Sequence, residues 1–83
     1  MTIIQTSIFT VIERFPGHKD SILQFFRENQ NFQTICDDYR LCAESLKRWN
    51  QSTSKEAPAR KKEYADLLRE LEAEILQILD ESK

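Results

Sequence analysis

An all-α fold is predicted for this 83-residue chain by three observations. It holds one Gly and two Pro, too little punctuation for many short strands and turns. Two long stretches carry apolar residues at alternating steps of three and four. No second run of β-branched alternation exists to pair with Thr2 to Val11, the one segment that could also read as a strand. The expected architecture is a single helical domain over residues 1–83. Two short N-terminal helices, within residues 1–30, pack on a long antiparallel helical hairpin at 31–82.

In the first segment, Ile8, Val11, Ile12 and Phe15 fall on one face of a helix over Thr6 to Phe15, with Ser7 as a candidate cap. Pro16-Gly17 ends it, because the residue before Pro is driven from the α region and Gly tolerates positive φ. Residues 18–29 place Ile22, Phe25 and Phe26 on one side and Lys19, Asp20, Arg27 and Glu28 elsewhere, a second short amphipathic helix. Asn29 to Asn31 is suited to end that helix and cap the next.

From Phe32 the spacing becomes regular: Phe32, Ile35, Tyr39, Cys42, Leu46 and Trp49 form a seam of coiled-coil type, with Glu44 and Arg48 in the favourable order for an i,i+4 ion pair. Asn50 to Pro58 has no apolar periodicity and reads as a loop. Thr53 and Glu56 have capping-box spacing and Pro58 favours a first helical position, so the last helix is expected to start between Ser54 and Pro58. It runs to Asp80 or Glu81 with a second seam of Tyr64, Leu68, Leu71, Ile75 and Ile78. Tyr39, Leu46, Leu68 and Leu71, each in mid-stripe, are the expected core. Leu67, Leu76 and Leu79 widen the apolar arc beyond what one partner helix covers. Either the N-terminal helices or a second chain must lie there.

Charge and size narrow the function classes. A 40% hydrophobic and 31% charged composition belongs to a globular chain, and a net charge of −2 gives no global field toward nucleic acid or an anionic membrane. No apolar run approaches membrane-spanning length, and Met1 to Arg14 lacks the basic start and apolar core of a signal peptide, so a cytoplasmic protein with reduced thiols is expected. A chain this short buries only about 60 to 65% of its unfolded surface, which favours self-association.

Candidate chemistry is sparse. His18 has no orienting partner nearby in sequence and reads as solvent-facing or capping. Cys36 and Cys42 lie six residues apart, too far for a disulfide on one straight helix and too few for a zinc site, so they read as small hydrophobes. Asp37-Asp38 and Glu70, Glu72 and Glu74 read as solvated faces. No catalytic residue, cofactor or metal is expected. The strongest polar feature is a basic tip: Lys47, Arg48 and Trp49 on one side of the loop and Arg60, Lys61 and Lys62 on the other. Three adjacent cations near a helix N-terminus oppose the macrodipole, so helix stability does not explain them.

The order Phe15, Ile22, Asn29, Phe32, Ile35, Asp38-Tyr39 and Leu46 resembles the first half of the small bacterial YdcH-like proteins, a family of uncharacterised helical hairpins. Leu67-Leu68-Arg69-Glu70-Leu71-Glu72-Ala73-Glu74-Ile75 with Leu79 is similar to that family's second helix, and the likeness spans residues 15–80. The chain departs from the pattern at Leu71-Glu72-Ala73, where the family has a Leu-Lys-Asp-like stretch. The resemblance implies a bacterial helical hairpin without recognised catalytic residues. The expected function is a non-enzymatic protein-protein interaction module, an adaptor or regulator that binds a protein partner or self-associates. The alternative is a nucleic-acid-associated factor that uses the basic tip.

Overall fold

The computed structural model describes residues 4–81, with side chains from Ser7 onward, so the outermost residues of the expected N-terminal segment and hairpin lie outside the described residues. Among those described there are four α-helices and no strand: α1 (Ile4–Arg14), α2 (Lys19–Glu28), α3 (Gln30–Asn50) and α4 (Ala57–Glu81), with a 3-10 turn at Pro16–His18. The chain is all-α.

The β-branched residues of α1 are weak helix formers, and so short a helix does not stand alone in water. Burial of Ile8, Val11 and Phe15 holds it. Because α1 already begins at Ile4, Ser7 lies inside the helix and is not its cap. Phe15 leaves the helix at φ −127° and ψ 66°, as the following Pro requires, and the His18 amide closes the 3-10 turn on the Phe15 carbonyl at 3.0 Å. Gly17 does not use positive φ, so the reversal rests on Pro16 and the 3-10 turn.

Asn29 does two jobs in one residue. Its amide closes α2 on the Phe25 carbonyl at 2.8 Å, and its extended backbone lets its side-chain oxygen accept from the Phe32 amide at 3.1 Å, the N-cap of α3. The Gln33 side chain braces the same junction by donating to the Phe26 carbonyl at 2.6 Å. At the other end of α3, residues 51–56 form the connection. The spacing of Thr53 and Glu56 does not become a capping box. Instead Ser52 Oγ accepts from the Ser54 amide and Ser54 Oγ from the Glu56 amide, each at 3.1 Å, and α4 starts at Ala57 with Pro58 in its first turn, inside the expected window.

α3 and α4 run antiparallel, with Tyr39 beside Glu72 and Ser45 near Tyr64, while α1 and α2 pack mainly on α3 and on each other. This concentrates the core at one end of the hairpin. Ile22, Phe32, Cys36 and Ile75 are fully buried there with Val11, and the Phe25 and Phe32 rings meet at 5.6 Å. Of the four expected core residues, only Tyr39 is buried; Leu46, Leu68 and Leu71 are half-buried. Leu68 and Leu71 pack at the edge of the core, and Leu71 lines an open cleft, so neither is sealed on all sides. α4 spans about 37 Å, and the molecule measures 44 × 30 × 21 Å.

Candidate functional site

The N-terminal helices cover one face of the hairpin, and side-chain networks fix them there. The Arg14 guanidinium forks onto Glu72, Nε to Oε2 at 2.9 Å and Nη2 to Oε1 at 3.2 Å, and the Tyr39 hydroxyl donates to Glu72 Oε2 at 2.8 Å. Burial works to raise the Glu72 carboxyl, but bonds from Arg14 and Tyr39 outweigh it and hold the carboxyl below its ordinary value. Burial, followed by the Glu72 carboxylate, pushes the Tyr39 phenol up. A second network joins α1 to α3: buried Ser7 donates to Asp37 Oδ1 and accepts from Arg40 Nε at 3.0 Å, and Arg40 reaches on to Glu44 at 3.1 Å.

These contacts correct two readings. Glu72 is half-buried and anchors α1 rather than facing solvent, whereas Asp37 is exposed as expected and also accepts from Ser7. Glu44 pairs with Arg40, which Ser7 holds in place, and not with Arg48. Spacing carried part of the signal for Glu72. At 100° per residue it is turned about 200° from both Glu70 and Glu74, into the arc of Ile75 and Leu79. Nothing local marked Ser7.

The basic tip is less concentrated than the sequence suggests. Lys47, Arg48 and Trp49 occupy the last turn of α3, and Arg60, Lys61 and Lys62 the first turns of α4. Arg60 donates to Glu63 at 2.9 Å and Lys62 to Asp66 at 3.1 Å, so two of the five cations are paired on their own helix. Lys61 is half-buried. Consecutive helical residues diverge by about 100°, and Arg48 and Trp49 line an open cleft of about 470 Å³ shared with Ser45, Ser52 and Tyr64.

A second cleft, of about 450 Å³, lies farther along the α3–α4 seam. Asp38, Leu41 and Cys42 line it from α3, and Leu67, Glu70, Leu71 and Glu74 from α4. Ser45 follows Cys42 by three residues and Leu67 follows Tyr64 by three, which puts both clefts on one face. Leu41 is turned about 200° from buried Tyr39, so this is the face away from the N-terminal helices. Among the described residues four large apolar side chains stand out as exposed, and two of them, Leu41 at 50% and Leu67 at 43%, stand in this cleft. Leu76, at 37%, is half a helical revolution from Leu67 and belongs to another side.

The charges along this outer face are ordered. Asp38, Glu70 and Glu74 rim the Leu41–Leu67 cleft with no ion pair among the described residues, and Arg48, also without one, stands at the loop end beside Trp49. Neither thiol is activated: burial, then Asp37, pushes Cys36 up to about 12, and burial, then Asp38, raises Cys42. His18 stands at the N-cap of α2 but makes no side-chain capping bond. The described residues include no group of three His, Cys, Asp or Glu placed to hold a metal ion, and no described helix is long and apolar enough to cross a membrane.

Comparison with protein-family models, curated protein sequences and solved structures finds no match to the chain.

Proposed function

We propose that this chain is a non-enzymatic protein-protein interaction module, a cytoplasmic adaptor or regulator, and that it works through the outer face of its hairpin. The observation that carries this reading is the asymmetry of the hairpin. One face is closed by α1 and α2 and tied down through Glu72 and Ser7, while the other leaves Leu41 and Leu67 open beside three unpaired carboxylates. Apolar groups exposed within a polar rim are the usual composition of a protein contact surface. The basic tip enters this reading through Arg48 and Trp49, which form the far end of the same face.

The test is a tagged pull-down from host lysate, with and without nuclease, for wild type and for Leu67→Glu, which places a charge in the exposed cleft without touching the core. Protein captured by wild type, resistant to nuclease and lost with Leu67→Glu, supports the reading. Capture unaffected by Leu67→Glu overturns it. Nucleic acid that co-purifies, is lost at high salt and is lost on neutralising Lys47, Arg48 and Lys61 would transfer the function to the basic tip.

A further inference from the structure

We infer that the occupant of the outer face is a second copy of this chain, packed face to face and antiparallel about a two-fold axis that crosses the hairpin helices. The inference rests on the interaction-module reading and names its partner. Its ground is the order of charge along the face: acidic at Asp38, Glu70 and Glu74, apolar at Leu41 and Leu67, basic and aromatic at Arg48 and Trp49.

Two hairpins can meet face to face with their helices aligned through a two-fold axis in two ways. An axis parallel to the helices brings like ends together and sets each acidic rim against its own copy, which like-charge repulsion opposes. An axis across the helices reverses one copy, so α3 packs on α3 and α4 on α4. Asp38 and Arg48 are ten residues apart, about 15 Å along α3. With the axis midway, level with Ala43, the Arg48 of each copy lies opposite the Asp38 of the other. The pairing of Tyr39 with Glu72 sets the register of the hairpin, so the same level on α4 falls at Leu67 and Leu68. The exposed Leu41 and Leu67 side chains then close the centre, and the two charged contacts flank it.

The half-buried Cys42 lies beside the axis. Size is consistent with this assembly. The face runs from Asp38 to Ser52, about 20 Å long and two helices wide, and offers roughly 1,000 Å² in total between two copies, the lower bound for a specific interface. The dimer is therefore weak and concentration-dependent, and it supplies the layer that the short core lacks on this side.

The experiment is sedimentation of the full chain over a wide concentration range for wild type, Leu67→Glu, Arg48→Glu and the double variant Arg48→Glu with Asp38→Arg, each first checked for helical circular dichroism. Wild type is expected to pass from the mass of one chain to that of two as concentration rises. Each single substitution should weaken association on the order of tenfold or more, because symmetry introduces it twice. The double variant should recover it, since exchanging the two charges rebuilds the contact in the same antiparallel register. Wild type that keeps the mass of one chain throughout overturns the inference, as does a dimer indifferent to Leu67→Glu or a double variant no better than Arg48→Glu. A single-chain mass combined with pull-down capture that Leu67→Glu abolishes removes the second copy but leaves the interaction module standing; a single-chain mass with capture unchanged removes both.

Discussion

Ile75→Ala and Leu68→Ala shorten two side chains on the same stripe of α4, seven residues apart and equivalent by heptad position, yet they should differ severalfold in cost. Ile75 is fully buried in the core cluster that α1, α2, α3 and α4 share. Its truncation loses transfer free energy and leaves a closed cavity, together about 2 to 5 kcal/mol. Leu68 is half-buried at the edge of the core, packed against it on one side and open on the other. It forfeits about half of the roughly 1.5 to 3 kcal/mol of a fully buried aliphatic side chain, near 1 kcal/mol, and water fills the space without a cavity penalty. For 83 residues the whole stability is about 4 to 12 kcal/mol, so Ile75→Ala takes a large share of it. The assay is urea unfolding followed by circular dichroism, at a concentration low enough that association contributes nothing. With a slope of about 1 kcal/mol per molar urea, Ile75→Ala should lower the midpoint by 2 M or more, or abolish the folded baseline, and Leu68→Ala should lower it by about 1 M. Equal shifts would refute the claim that the core is confined to the end of the hairpin covered by the N-terminal helices.

Other outcomes follow from single contacts. Because the folded Glu72 carboxyl lies below its unfolded value of about 4.3, its contribution is complete above about pH 5 and is lost as pH falls through the folded value. The acid-side slope of stability should therefore flatten in Glu72→Gln, and an unchanged slope would contradict the Arg14–Glu72–Tyr39 network. On the alkaline side Cys36 and Tyr39 are both raised, so their stabilisation is present below the ordinary thiol and phenol values and declines as pH rises above about 8.5; urea midpoints measured between pH 8 and 11 should fall. Gly17→Ala should raise stability by about 0.4 to 1 kcal/mol, since φ there is not positive and an added Cβ meets open space. Asn29→Ala removes the α3 cap and should cost about 0.5 to 2 kcal/mol, a loss that Asn29→Asp largely avoids.

Local rules reach a definite distance into this molecule. Seam spacing marks α3 and α4, Pro16 marks the first reversal, and Asn29 as both terminator and cap follows from its side-chain chemistry. These features are written within one or two turns of chain, where periodicity and capping act. The unequal burial of Leu68 and Ile75 is not, because heptad position says which way a residue faces but not whether a third helix lies there. The role that Ser7 takes is out of reach for a related reason: its partners, Asp37 and Arg40, are thirty or more residues away. Glu44 illustrates the competition between the two levels. Its i,i+4 neighbours include both Arg40 and Arg48, and the choice of Arg40 comes from Ser7, which holds that guanidinium.

The outer face emerges from the same competition. With Glu44 turned toward Arg40, Arg48 has no ion pair among the described residues, and Glu70 and Glu74 line the cleft beside Leu67 likewise unpaired. The basic tip contributes less than its composition suggests, since neighbouring carboxylates hold Arg60 and Lys62. The charge runs name the residues at both ends of the seam, but which of them stay unpaired is set by contacts distant in sequence, as the Ser7–Arg40 bond shows for Glu44 and Arg48.

Cys42 offers the most direct test, because it lines the outer face near the proposed two-fold axis while Cys36 is sealed in the core and serves as an unreactive internal reference. The measurement is the rate of Cys42 alkylation in the native chain as protein concentration is raised, read by peptide mass spectrometry. A rate that falls with concentration in wild type and stays constant in Leu67→Glu is the predicted result. A wild-type rate independent of concentration, with Cys36 still protected, would contradict the claim that the outer face closes on a second copy.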